Sequence, residues 1–443
     1  MRKILFLTSL LVILANAQTL TLQTTLQKIK ENNQELSIAK LEEEIKALEA
    51  KAAQGLSYGS LDVNQYIMRS NDALSVFGYK LQSREATFAD FGFKQFNGTN
   101  YTQAASDLND PKARTLYTSN VTYTLPLYTG GKITHVQAMS DVLKQVATLD
   151  RETLKAEKVF EAKKTFFNLL LLKEHRYALQ TIQKTMVRLE ASAKAFHEEG
   201  YAKNVDMLEV GVRLSHIEQA LLETEAQQAL LLHYLSFLVN EPVEDVVGER
   251  FFEQPTSVAS ANSDMLALKK AEKHQEVARH QMAIQEGNFL PQVGLVSQYG
   301  VSDDQWMKDV DKHNAYTIGV QMKWNLFNGG SDKANLEKAR VENLKATQNY
   351  QLAEQQMNLR LKQLQTTIKT LGSQVESLKK EVSLAHHVSE NYQARYAQKL
   401  ASMNDVLVKK SDELRAIMKL NDTQNRQYET IFEFEKLTTK EAL

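Results

Sequence analysis

The 443-residue chain contains no cysteine. Disulfides, thiolate metal sites, cysteine nucleophiles and a lipid on an N-terminal cysteine are therefore excluded. Proline is scarce, at 5 residues, and glycine stands at 17. So few breakers in so long a chain favour long, uninterrupted helices. Neither sign of charge is in excess, because the formal net charge is −1. No basic surface recruits nucleic acid, and no imbalance implies an acidic partner. Long apolar runs are missing too. Beyond the N-terminus nothing approaches the ~18 apolar residues of a membrane-crossing helix. The longest cluster, Phe166 to Leu172, is interrupted by Asn168. A membrane-spanning β-barrel escapes this test, since its strands alternate rather than run apolar.

The first 17 residues read as a secretory signal. Arg2 and Lys3 form its positive region, Ile4 to Leu14 its apolar region, and Ala15-Asn16-Ala17 a small-x-small cleavage site. The mature chain is expected to start at Gln18 and to be exported.

What the chain does have, it has twice. Pro126-Leu127-Tyr128-Thr129-Gly130-Gly131-Lys132 has a counterpart in Asn325-Leu326-Phe327-Asn328-Gly329-Gly330-Ser331, with the Gly pairs 199 residues apart (329 minus 130). Asp206-Met207-Leu208 and Asp405-Val406-Leu407 repeat at the same offset of 199 (405 minus 206). Two landmarks at one offset mean two copies of one structural unit. Each copy reads as strand, loop, strand, Gly-Gly, long helix, short break, long helix.

The spacing predicts a helix over 21–53, with Leu22, Leu26, Ile29, Leu36, Ile38, Leu41, Ile45 and Leu48 at helical intervals. Residues 61–68 alternate loosely, and 70–114 form an irregular, aromatic-containing insert. A strand follows with Tyr117, Val121, Tyr123, Leu125 and Leu127 on one face and Thr118, Asn120, Thr122 and Thr124 on the other. From Lys132 to about His197 nothing breaks a helix, which makes a rod of ~100 Å. Glu199-Gly200-Tyr201 breaks it, and a second helix runs from about Val205 to Val239. The second copy predicts a helix over 264–286, strands over 290–301 and 316–326, a polar loop over 302–314, a rod over 331–398 and a last helix over 405–439. Tyr316, Ile318, Val320, Met322 and Trp324 share one strand face, opposite Thr317, Gln321, Lys323 and Asn325.

A four-stranded sheet in one chain leaves two open edges, which lipid does not tolerate. Three copies of four strands would close a twelve-stranded barrel, with the apolar face toward lipid and the Thr/Asn/Gln/Lys face toward a wet lumen. The Gly pairs are read as turn residues where a strand hands over to a helix. They are not phosphate loops.

Candidate chemistry is sparse. His175, His197, His216, His233, His274, His280, His313, His386 and His387 are scattered and read as surface residues. Adjacent residues on a helix diverge by ~100°, so His386 and His387 do not share a metal easily. Asp303, Asp304, Asp309 and Asp311 lack the spacing and glycine of a calcium loop and read as a solvated acidic loop. No catalytic set, cofactor motif or metal motif stands out.

The duplicated strand–strand–Gly-Gly–hairpin unit resembles the TolC-like outer membrane efflux proteins over about residues 20–440. Its most specific pieces are Leu125 to Gly131, Leu326 to Gly330, Gly200 through Asp206-Met207-Leu208, and Tyr396 through Asp405-Val406-Leu407. Asn71 to Gly78 is similar to a first external loop of the family.

The resemblance implies a mainly α chain with transmembrane β-strands. It also implies a homotrimer whose twelve-stranded barrel in the outer membrane continues into an α-helical periplasmic tunnel. On it the chain divides into a signal (1–17), an N-terminal helix (18–54), a first strand pair with its external loop (55–129) and a first hairpin (130–240). An equatorial connection (241–263), a helix (264–287), a second strand pair (288–328) and a second hairpin with the C-terminal end (329–443) follow.

The implied function is an exit channel of a tripartite efflux or type I secretion system. Such a passive conduit for small molecules or proteins works with a periplasmic adaptor (a membrane fusion protein) and an inner-membrane transporter. It has no enzymatic activity, no cofactor and no nucleic-acid partner. A periplasmic coiled-coil adaptor or scaffold without a pore is the alternative reading.

The resemblance further implies tip gating through Tyr396, Asp405 and Asp206. Adaptor contact is expected at the tips Gly200, Tyr201, Ala202, Lys399, Leu400 and Ala401. Three tip positions depart from the family pattern: Val408 replaces a second Asp, Ala401 an Arg, and Lys399 a Gly. Closure is therefore expected to rest on packing and on Asp405 more than on an ionic network.

Overall fold

The structure, a computed structural model, describes residues 18–201, 203–250 and 261–439. The expected signal segment, Ala202 and residues 251–260 of the expected connection lie outside them. The chain divides into two compact units, one of Met1–Glu44, Gln145–Lys273 and Gln348–Leu443, the other of Ile45–Lys144 and His274–Thr347.

In chain order the elements are β1 (Gln18–Leu20), α1 (Leu22–Asn32), α2 (Gln34–Gly55), β2 (Ser60–Ser70), α3 (Ala73–Gln82), α4 (Ser106–Asn109), β3 (Arg114–Tyr128) and α5 (Lys132–Glu198). They continue as α6 (Asn204–Val239), β4 (Val243–Val246), α7 (Leu266–Glu286), β5 (Gln292–Asp303), β6 (Asn314–Lys323), α8 (Ser331–Ala397) and α9 (Met403–Thr438). The duplication is exact in helix length: α5 and α8 each have 67 residues, and α6 and α9 each have 36. Among the described residues no helix is long and apolar enough to cross a membrane.

The second unit holds an antiparallel sheet of order β2-β3-β5-β6. The strands form where β-branched and aromatic residues alternate with polar ones. Register pairs Val63 with Val121, Val121 with Tyr299, and Tyr299 with Tyr316. It also pairs Leu125 with Leu295 and Leu295 with Val320. Residues directly opposite each other share a face, so one apolar face runs across all four strands. The other face lines up Asn64 with Asn120, Thr122 with Gln298, and Gln298 with Thr317.

Where β3 hands over to α5, Gly130 sits at φ +65° and Gly131 at φ +79°, and Gly329 and Gly330 repeat this at +60° and +82°. A Cβ on Gly130 would meet the carbonyl oxygen of Gly287 at 2.7 Å, so that turn is closed by backbone contact. Gln137 on α5 donates to the Ser57 hydroxyl at 2.8 Å and to the Ala53 carbonyl at 3.2 Å.

The first unit is built by the two hairpins and the chain segments packed on them. Phe166, Phe167, Leu235, Leu238, Ile29 and Phe432 are buried in one apolar cluster. Phe167 meets Phe432 edge-on at 4.9 Å between ring centroids. A second cluster joins α8 and α9 through Leu361, Leu364, Ile368, Ile431 and Phe434. Ion pairs border the first cluster: Lys163 with Glu435 and Lys436 with Glu157, each at 2.7 Å. β1 pairs in parallel with β4, a contact that no periodicity signals.

The helix expected over 21–53 is two helices. Asn33 turns extended between them (φ −65°, ψ 125°). Its Nδ2 donates to the Leu238 carbonyl at 2.8 Å, and its Oδ1 accepts from the Leu36 amide at 3.1 Å. A buried amide satisfied in this way offsets the lost helical hydrogen bonds. The insert over 70–114 is more ordered than expected. Asp72 caps α3 by accepting from the Ser75 amide at 2.8 Å.

Candidate functional site: the amphipathic sheet and the hairpin tips

The apolar sheet face is open to its surroundings. Tyr316 is 77% exposed and Ile318, Val320 and Met322 about 65% each, far more than isolated surface residues explain. Val121 belongs to the same face, with Tyr117, Tyr123 and Leu125 half-buried on it. Leu61, Val63 and Ile67 extend it onto β2, all exposed. Trp324 lies just past the end of β6, where its indole Nε1 donates to the Phe289 carbonyl at 3.1 Å. Among the described residues β2 and β6 each pair on one side only. Such an edge presents unmet N–H and C=O groups.

At the end of the sheet remote from the Gly-Gly turns, two loops meet. Arg84 donates to the Lys312 and Asn314 carbonyls, at 3.1 and 2.6 Å. The acidic loop is not the solvated cluster that the sequence predicts. Asp303 is 1% exposed, and its Oδ2 lies 2.7 Å from His313 Nδ1. Asp303, Asp309 and His313 bring ligand atoms within 4.8 Å of one another, as do Glu85, Asp303 and Asp304. Lys312, Lys308 and Arg114 neutralise Asp309, Asp304 and Glu85 respectively. Asp311 joins neither group.

Histidines also depart from the surface expectation. His175 is buried, and burial pushes its imidazole below the ordinary value, against the pull of Asp422 at 3.7 Å. His135, which sequence reasoning did not single out, places Nδ1 3.3 Å from Nδ1 of His280.

The hairpin tips repeat one another in backbone geometry. α5 ends with Gly200 at φ +80° and α8 with Lys399 at φ +62°, 199 residues on (399 minus 200). The Tyr201 amide donates to the Phe196 carbonyl at 2.7 Å, and the Leu400 amide to the Arg395 carbonyl at 2.8 Å. Both are the left-handed C-terminal stops typical of helices. Each following helix starts with an aspartate that accepts from the backbone amide of its N-cap residue, and at the second tip Ser402 completes a reciprocal capping box. Asp206 accepts from the Lys203 amide at 2.8 Å. Asp405 accepts from the Ser402 amide at 3.0 Å and the Ser402 hydroxyl at 2.6 Å. Hydrogen bonds from the Ser402 hydroxyl and amide hold the Asp405 carboxyl below the ordinary value.

Tyr396 is buried in the apolar cluster that joins the tips, with Leu189, Ala193, Val210, Met403 and Val406. Its hydroxyl has no hydrogen-bond partner among the described residues. Burial raises the phenol, and nearby Asp206 adds to the effect. Tyr201 and Leu400 are exposed. The tip residues expected to act together are thus brought together in part: Tyr396 lies near Asp206, while Asp405 is engaged by its own helix.

Residues 258–438 match the family model described as outer membrane efflux protein. No curated protein matches the chain in sequence. Solved structures match it over nearly its whole length. The Campylobacter jejuni CmeC outer membrane channel superposes with a TM-score of 0.79 at 15% identity, over 95% of this chain and 86% of that one. The outer membrane protein VceC from Vibrio cholerae gives 0.77 at 14% identity, over 94% and 95%. A membrane protein from Pseudomonas aeruginosa gives 0.81 at 11% identity, over 94% and 89%. Residues 258–438 are thus similar to the outer membrane efflux protein family, and the chain as a whole shares the fold of these solved outer membrane proteins.

Proposed function

We propose that three copies of the chain close their four-stranded sheets into one twelve-stranded barrel in the outer membrane, and that the hairpins form a passive periplasmic tunnel. The observation that carries this reading is the register. It gathers the apolar residues of four strands on one exposed face and leaves both sheet edges without a partner among the described residues. In hydrocarbon an unpaired edge is prohibitive, whereas closure by sister chains removes it. Tyr117, Val121, Tyr123, Leu125, Tyr316, Ile318, Val320, Met322 and Trp324 face lipid in this assembly. Thr122, Gln298 and Thr317 face water.

The duct does no chemistry. An inner-membrane transporter supplies the energy, and a periplasmic adaptor docks at the tips around Gly200, Tyr201, Ala202, Lys399, Leu400 and Ala401. Tyr396, Asp206 and Asp405 stand at the constriction.

Protein extracted with detergent from the outer membrane fraction is expected to run as a trimer and to conduct ions in a planar bilayer. A monomer that stays in solution without detergent overturns the reading.

A further inference from the structure

Lys399 occupies a backbone conformation that suits glycine, and the first repeat has glycine there. A lysine at φ +62° is disfavoured because its Cβ crowds the neighbouring carbonyl. A lysine merely tolerated at an exposed turn would extend into water, since its ammonium is strongly hydrated. This one does not. Its Nζ lies 3.3 Å from the ring centroid of Tyr201 and 5.6 Å from that of Phe196, both on the other hairpin. Phe196 in turn meets Tyr396 at 5.5 Å between centroids. The ammonium therefore crosses from the second hairpin to the first and completes a run of three aromatic rings.

We propose that Lys399 is a clamp between the two hairpin tips, its ammonium holding the second tip against Tyr201 and Phe196 of the first and so setting the resting opening of the tunnel. The clamp rests on the exit-channel reading and specifies how that channel stays closed. Three features make it effective. The left-handed turn aims the side chain across the gap. Phe196 is anchored by its packing into the cluster around Tyr396 and Leu189. The cation needs no acidic partner, because the ring faces carry the negative end of the aromatic quadrupole.

The test exploits the glycine of the first repeat. Lys399→Gly relieves the backbone and deletes the cation in one step. Single-channel recordings on the full-length protein are expected to show the open fraction rising on the order of 2- to 5-fold in Lys399→Gly and in Tyr201→Leu, with Lys399→Arg close to the parent. An open fraction in Lys399→Gly equal to the parent's overturns the clamp while leaving the channel reading intact.

A second readout does not depend on a pore. In a double-mutant cycle on thermal melting, Lys399→Gly and Tyr201→Leu are expected to be non-additive, since the residues touch. Additive effects overturn the clamp even where no conductance is seen. Absence of conductance in the parent counts against the channel reading alone.

Discussion

The imidazole of His386 on α8 places Nδ1 2.7 Å from Oε1 of Glu413 on α9, tying the two arms of the second hairpin together. Glu413 is buried and also accepts from Lys410 Nζ at 2.7 Å. Burial works to raise its carboxyl, but hydrogen bonds from Lys410 and His386 outweigh it and hold the group below its ordinary value of 4.5.

A depressed carboxyl stabilises the fold only while ionised. The contribution is complete above the ordinary value and is lost as pH falls through the folded one. Glu413→Gln leaves a buried lysine without its partner. The variant is expected to melt well below the parent near neutral pH. The gap should close as pH falls from the ordinary value of 4.5 through the lowered value of the folded carboxyl, where the parent's own carboxyl protonates. Circular dichroism melts at the two pH values check this, and a gap independent of pH contradicts it.

The Gly-Gly turns, alike in sequence, are unequal in their surroundings. A Cβ on Gly329 meets nothing within 4 Å, whereas one on Gly130 meets the Gly287 carbonyl oxygen at 2.7 Å. Gly329→Ala is expected to cost roughly 1–2 kcal/mol, the penalty of a left-handed residue with a side chain. Gly130→Ala is expected to cost distinctly more, because two backbone segments must also separate. Thermal dissociation of the proposed trimer on gels compares the two. Equal shifts would mean that the contact between Gly130 and Gly287 carries no energy.

Much of the fold was legible because its breakers are so few. Each rod ends at the break that the sequence offers, and the offset of 199 recurs in glycines, caps and helix lengths alike. What stayed hidden lies in contacts between residues far apart in the chain. Asn33 looks like any polar residue in a helix until its amide meets the carbonyl of Leu238, 205 residues away. Asp303 reads as one solvated carboxylate among several until the strand end buries it against His313. The Lys399–Tyr201 contact was likewise out of reach. The sequence marked Lys399 only as an oddity at a glycine position, since nothing local says where a long side chain will rest.

Asp405 has two candidate roles, and they separate by mutation. Its carboxylate is engaged by the amide and hydroxyl of Ser402, so it shapes the start of α9. Asp405→Ala is expected to change single-channel conductance. If that change is transmitted by fraying of the helix start, Ser402→Ala reproduces it in direction. If the carboxylate itself faces the constriction, Ser402→Ala leaves conductance unchanged while Asp405→Ala does not. Recording both variants beside the parent decides between the roles.

The sheet offers the sharpest contrast, because neighbours on β6 point to opposite faces. Val320 pairs with Leu295 on the apolar side, and Gln321 pairs with Gly294 on the polar side. A lysine on a lipid-facing position near the membrane midplane costs ~2–4 kcal/mol, while the same lysine in a wet lumen costs little. Val320→Lys is therefore expected to lower the amount of trimer recovered from the outer membrane and its dissociation temperature. Gln321→Lys should assemble normally and alter only the ion selectivity of the pore, by adding one positive charge per subunit to the lumen. The two variants differ by one residue along a single strand, so expression, export and chain length are held constant between them. Equal recovery of both contradicts a lipid-facing Val320, and loss of Gln321→Lys with retention of Val320→Lys would turn the sheet inside out relative to the proposed barrel.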